Sequence, residues 1–145
     1  MLLIKQVGVY LNILNNKVKK HFFNTFKQNN INLTGEQYLV MDTLWVDGIL
    51  SQQGIADIIQ KDKNSVTKFI DSLEKKGLVV RSIDQNDRRV NNIILTKKGQ
   101  ELKDETTEIA INTMNSILKD ISTEDLTTFV KVLEKIKNNI NNIEL

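Results

Sequence analysis

Between residues 4 and 26 the apolar side chains Ile4, Val7, Leu11, Leu14, Val18 and Phe22 return at steps of three and four, with Phe23 and Phe26 beside them. That period predicts a long helix with one apolar stripe. A second helix is predicted over about 35–46, in LTGEQYLVMDTLWVDG, where Thr34 and Gln37 stand at capping-box spacing and Gly48 follows the last apolar turn as a stop. Ser51 then caps a short helix in SQQGIADIIQ whose Ile55, Ala56 and Ile59 share a face. After about four polar residues, KNSVTKFIDSLEKKG sets Val66, Phe69, Ile70 and Leu73 on one stripe and ends at Gly77. At about 100° per residue, Asn64, Thr67, Lys68, Asp71 and Lys75 fall on the opposite, mainly basic side.

Beyond Gly77 the pattern changes. LVVRSI and VNNIIL are rich in β-branched residues and the intervening DQNDRR in turn formers, which predicts a hairpin, although alternation in both strands is imperfect. Leu102, Ile109, Ala110, Thr113, Met114, Ile117 and Leu118 then describe one long helix. Ser122 starts another, with Leu126, Phe129, Val130, Leu133, Ile136 and Ile140 on its stripe. The fold expected is mainly α with a small β-hairpin.

Composition narrows the chemistry. A chain of 145 residues, 40% hydrophobic and 26% charged, suits one globular domain. With no cysteine there is no disulfide, thiolate zinc site or thiol nucleophile. The single histidine, His21 in KKHFF, has no second imidazole or carboxylate pair at ligand spacing, so no metal site is expected. No nucleophile stands with a base and no glycine-rich phosphate loop is present, so neither catalytic residues nor a cofactor are expected. The opening MLLIKQVGVYLNIL lacks a basic leading segment and is interrupted by Lys5, Gln6 and Asn12. Neither a signal peptide nor a membrane helix is expected, and the cytoplasm is the default compartment.

The net charge of +2 divides unevenly. Residues 1–50 carry five basic and three acidic side chains, 51–99 ten and six, and 100–145 five and nine, giving +2, +4 and −4. A basic middle and an acidic end suggest that the middle faces a polyanion. Two short helices joined tightly, the second with an apolar back and a hydrogen-bonding front, are the helix-turn-helix arrangement, whose front enters a DNA major groove. The helices alone leave an ordinary surface αα-hairpin open. The basic hairpin that follows them makes the pattern that of a winged helix. Arg88 and Arg89 sit at its tip, where they help no core, and a weakly hydrated guanidinium is drawn to the negative potential of a narrow minor groove. Asp87, two residues before Arg89, is placed to hold that side chain extended.

The run SQQGIADII, SVTKFIDSLEKKGLVVR, DQNDRRVNNIILTKKG resembles the MarR family of bacterial winged-helix transcription regulators, most specifically in LEKKGLVVR joined to the D-x-x-DRR wing and the closing LTKKG. LTGEQYLVMDTL and ISTEDLTTFVKVLEKI resemble its second and last helices, so the likeness spans nearly the whole chain. Where relatives have proline after the first wing aspartate, this chain has Gln85. The resemblance implies a single MarR-like domain over 1–145, a winged helix-turn-helix lobe over 33–99, and a helical dimerisation region from 1–30 and 100–145. It also implies a homodimer on a pseudo-palindromic operator, with repression the expected sign and release by a small lipophilic or aromatic ligand common. Carried over residue by residue, Asn64, Ser65, Thr67 and Lys68 are the recognition-helix contacts, and Ser51, Gln52 and Gln53 belong to the supporting helix. Asp87, Arg88 and Arg89 are the wing contacts, and Arg81 and Lys97 further phosphate candidates.

Read from the residues themselves, the terminal helices carry more apolar stripe than a small winged-helix core can cover, which points to a dimer interface. A twofold axis would set two recognition helices roughly 34 Å apart, one turn of DNA. Phe22, Phe26, Tyr38, Met41 and Trp45 are candidates to line a ligand pocket between the long helices and the lobe. An alternative stays open in which the basic face serves protein contact or nonspecific DNA binding.

Overall fold

The computed structural model describes residues 2–143. The elements run α1 (Leu3–Gln28), α2 (Gly35–Asp47), β1 (Leu50–Ser51), α3 (Gln52–Ile59), α4 (Lys63–Lys75), β2 (Val79–Ile83), β3 (Asn91–Leu95), α5 (Lys97–Glu101), α6 (Lys103–Ile117) and α7 (Thr123–Asn141). Among the described residues no helix is long and apolar enough to cross a membrane.

Most boundaries follow the expected caps. Thr34 Oγ1 accepts the Gln37 backbone N–H while Gln37 Oε1 accepts that of Thr34, both at 3.2 Å, so the capping box is closed. Ser51 and Ser122 accept the amides of Gly54 (2.9 Å) and Asp125 (3.1 Å).

Two features differ from expectation. Leu50 and Ser51 pair antiparallel with Ile93 and Asn92, so the expected hairpin is a three-stranded sheet of order β1-β3-β2. A two-residue strand is too short to show alternation. The helix expected from Leu102 is preceded by α5, started by Thr96, whose hydroxyl accepts the Gly99 amide at 3.0 Å. Gly99 is required there by close approach: a Cβ would lie 2.1 Å from the Leu78 carbonyl oxygen. Its own carbonyl accepts the buried Trp45 indole N–H at 3.0 Å, which joins α2 to α5.

Residues 1–113 and 114–145 form two compact units. In the first, the stripes of α2, α3 and α4 close on the sheet: Val40, Met41, Leu44, Ile55, Val66, Ile70, Leu73, Val79 and Ile93 are buried, with Phe26 from the end of α1. Each such large side chain stabilises the fold by roughly 1.5–3 kcal/mol. Toward its start α1 is exposed, at Leu3, Ile4, Val7, Tyr10, Leu11 and Leu14. In the second unit α7 buries none of its side chains, and Phe129 and Val130 stand about half exposed at 49% and 53%.

Candidate nucleic-acid interface

The turn between α3 and α4 is set by its backbone. Gln60 adopts φ 56°, in the left-handed region, and ends α3; two residues later Asp62 starts α4. Asp62 Oδ1 accepts the Ser65 amide at 2.8 Å and Oδ2 accepts the Ser65 hydroxyl at 2.7 Å. These bonds from Ser65 hold the Asp62 carboxyl below its ordinary value. α4 therefore leaves the turn with its apolar stripe on the core and its polar side outward.

On that polar side the predicted residues divide into two kinds. Asn64 and Lys68 are exposed, and neither side chain has a hydrogen-bond partner among the described residues. Ser65 is committed to Asp62. Thr67 donates its hydroxyl to the Lys63 carbonyl at 2.9 Å and accepts from Gln52 Nε2, so the structure brings Gln52 and Thr67 together. Gln53, on the exposed side of α3, donates to Asp57 Oδ1 at 2.9 Å. Ser51 is half-buried, its hydroxyl taken up by the cap.

The wing between β2 and β3 is organised by an aspartate that the motif reading passed over. Asp84 Oδ2 accepts the amides of Asn86 (3.0 Å) and Asp87 (3.1 Å), and Oδ1 accepts from Asn92 Nδ2 at 2.9 Å. The Asn92 bond, then the amides, pull its carboxyl below the usual range. An aspartate two residues before a turn amide is a signal of this arrangement, since its side chain can take the place of a backbone acceptor. At the tip, Asp87 Oδ1 accepts Arg89 Nε at 3.1 Å and the Arg89 amide at 3.0 Å, and Oδ2 accepts Nη2 at 3.1 Å. The Arg89 side chain, then its amide, lowers the Asp87 carboxyl. Arg89 is held along its Nε–Nη2 edge yet is 90% exposed, and Arg88 beside it is exposed as well.

The two remaining phosphate candidates are placed differently. Arg81 is turned onto α4, where it meets Asp71 and Glu74. Lys97 is 92% exposed, with Glu101 3.9 Å away.

A cleft of about 230 Å³ opens between α1 and α2, lined by Asn15, Val18, Lys19, Phe22, Tyr38 and Leu39 among others. Of the five aromatic and Met residues expected to line a pocket, Phe22 and Tyr38 do so. Phe26, Met41 and Trp45 instead belong to the core, because helical spacing turns them to the inner side of their helices. Polar groups that periodicity did not single out complete the cleft: Lys19 Nζ lies 3.2 Å from Glu36 Oε1, and Lys61 is at the wall. Burial pushes Glu36 up, but its backbone N–H and the Lys19 ammonium outweigh this and hold it below its ordinary value. Burial, then the nearby Asp42, raises the Tyr38 phenol. Among the described residues no group of three or more His, Asp or Glu converges as a metal cage would require.

Tightly joined α3 and α4, followed by a hairpin with an arginine at its tip, define a winged helix-turn-helix protein. The MarR family model matches residues 33–90, which hold the helix-turn-helix and the wing through its arginines. The chain is similar over most of its length to solved structures of that kind. Reduced AbfR bound to DNA is 25% identical, with 95% of this chain and 94% of that one covered at a TM-score of 0.79. The MepR–DNA complex of S. aureus is 25% identical, with 92% and 97% covered at 0.85. BpsR of Bordetella bronchiseptica, whose DNA binding is regulated by 6-hydroxynicotinic acid, shares the fold at 24% identity, with 94% and 96% covered and a TM-score of 0.84.

Proposed function

We propose that this protein is a DNA-binding transcription regulator, a repressor acting in the cytoplasm as a homodimer on a pseudo-palindromic operator. The observation that carries this reading is Arg89, fixed by Asp87 along the Nε–Nη2 edge of its guanidinium while 90% exposed. An arginine held extended into solvent contributes little to its own fold and is ready for a narrow, negative groove. Asn64 and Lys68, with uncommitted side chains, are assigned to bases and phosphates; Thr67 and Gln52 act as a bonded pair; Arg88, Gln53 and Lys97 are assigned to the phosphate backbone. Ser51 serves through the helix start it caps, and Ser65 through the bonds it donates to the Asp62 cap.

Residues 33–99 are assigned to DNA, and residues 1–30 and 100–145 to the dimer. The exposed apolar residues of α1 and the exposed Phe129, Val130 and Ile140 of α7 support that division. The protein is a binding protein rather than an enzyme. The similarity to AbfR and MepR, both solved with DNA, supports the partner. The apolar cleft with its Lys19–Glu36 pair supports release by a small aromatic ligand, in keeping with the ligand-regulated BpsR.

The test is selection of duplexes by the purified protein from fragments of its own genome, followed by binding titrations across a salt series. The expected result is a few enriched palindromic sites, a dimer by light scattering, and log K falling with log salt at about 0.9 per phosphate contact. Retention of DNA without any sequence preference would favour nonspecific binding instead, and failure to retain DNA would overturn the reading.

A further inference from the structure

Arg81 is the wing-strand arginine that motif matching offers as a phosphate contact, yet its guanidinium has other partners. From β2 it reaches across to α4. Nη2 lies 2.6 Å from Asp71 Oδ1, Nη1 donates to Glu74 Oε1 at 3.0 Å, and Nη2 donates to the Thr67 carbonyl at 3.4 Å. The Arg81 backbone N–H also donates to Glu74 Oε2 at 3.2 Å. Thr67, Asp71 and Glu74 follow one another at steps of four and three, so one side chain spans two turns of the helix along a single stripe. The Arg81 side chain is 21% exposed, against 90% for Arg89.

The two carboxylates are the reason this clamp matters. Asp71 falls on the same side of α4 as Thr67 and Lys68, the side assigned to the groove, and Glu74 adjoins it. Both are exposed. Uncompensated, they would place two negative charges beside the phosphates that Lys68 and its neighbours attract, where like charges cost association. Three of the five N–H donors of this guanidinium are directed at two carboxylates and a carbonyl on α4, which turns it away from a phosphate.

We infer that Arg81 is a positioning residue for DNA binding: it fastens the first wing strand to the groove side of α4 and cancels Asp71 and Glu74, without itself touching phosphate. The inference rests on the DNA-binding reading above. It assigns the spacing between wing and recognition helix to one ion-paired joint, so that Arg89 and Lys68 approach the duplex as parts of a single rigid surface.

Four proteins test it: wild type, Arg81→Lys, Arg81→Met, and Arg81→Met combined with Asp71→Asn and Glu74→Gln. The probe is a duplex chosen by the wild-type protein from a randomised library, titrated over a range of potassium chloride concentrations, with thermal melting of each protein recorded alongside. Arg81→Met is expected to bind about tenfold more weakly or worse. The triple variant is expected to recover the share of that loss that comes from the two bare carboxylates, to stay below wild type for want of the joint, and to keep the wild-type salt slope. A merely structural arginine would show itself in a melting temperature that falls and recovers in step with affinity. Arg81→Lys, which can serve one carboxylate but cannot fork between two, should fall between wild type and Arg81→Met with the slope unchanged. If Arg81→Met fails to fold, Arg81→Lys and the triple variant carry the comparison. A triple variant that stays weak and loses about 0.9 of slope per wing would make Arg81 a phosphate contact and overturn the inference. Undiminished binding by Arg81→Met would overturn it too. If the wild-type protein selects no duplex, the DNA-binding reading itself falls and takes the clamp's role with it.

Discussion

Replacing Arg89 by alanine removes the wing tip at almost no cost to the fold. The side chain is 90% exposed and its only partner among the described residues is Asp87, an exposed pairing of a kind that adds little to stability. The loss therefore falls on DNA binding. One arginine reading a groove contributes about 1–3 kcal/mol. In a dimer the substitution is made twice, at wings too far apart to share partners, so the losses add to about 2–6 kcal/mol, or roughly 30-fold to 10⁴-fold in affinity. Titration of the selected operator by fluorescence anisotropy measures this directly, with light scattering and a melting curve to show that dimer and fold persist. Asp87→Ala is the companion: it leaves the guanidinium in place and removes only its orientation, so its loss should be smaller than that of Arg89→Ala. Equal affinity of Arg89→Ala and wild type would remove the wing from the mechanism. A melting temperature that fell in step with affinity would show that Arg89 serves the fold.

Two further outcomes follow from the packing and the caps. Gly99→Ala should destabilise by about 1–3 kcal/mol through overpacking against the Leu78 carbonyl, and by about 1 more if the shift breaks the Trp45 indole bond; thermal unfolding checks it, and an unchanged midpoint would contradict the close approach. The carboxyls of Asp62, Asp84 and Asp87 are all lowered in the folded protein by the bonds they accept. Their contribution to stability is thus complete above the ordinary carboxylate value and is lost as pH falls through the depressed one. Melting temperature should be insensitive to these groups near neutrality and fall in acid, less steeply for Asp62→Asn, which keeps the cap without the charge.

Much of this molecule is written locally. The Thr34–Gln37 box and the Ser51 and Ser122 caps depend on residues three apart, and the stripes of α2 and α4 depend on 3.6-residue spacing, so neighbours in sequence suffice to specify them. The wing arginines were legible for a related reason: charged side chains at the tip of a turn have no core to serve. The contents of the cleft were less so. Periodicity marks a residue as apolar and helical but does not say whether its side of the helix meets a core or an opening, and so Phe22 and Tyr38 were grouped with Phe26, Met41 and Trp45.

What the chain order determined unaided was the sequence of elements, their caps, and the placing of a basic turn after a helix pair. What only the tertiary structure decided were pairings between distant residues. The β1 strand exists because Leu50 and Ser51 lie along Ile93 and Asn92, Gly99 is glycine because Leu78 crosses it, and Arg81 faces Asp71 and Glu74 rather than solvent. The reason is one of range. Helix period and cap chemistry act over a few bonds, whereas a cation's partner is whatever charge the folded backbone brings within a few ångströms, and no single stretch of sequence holds both halves of that distance.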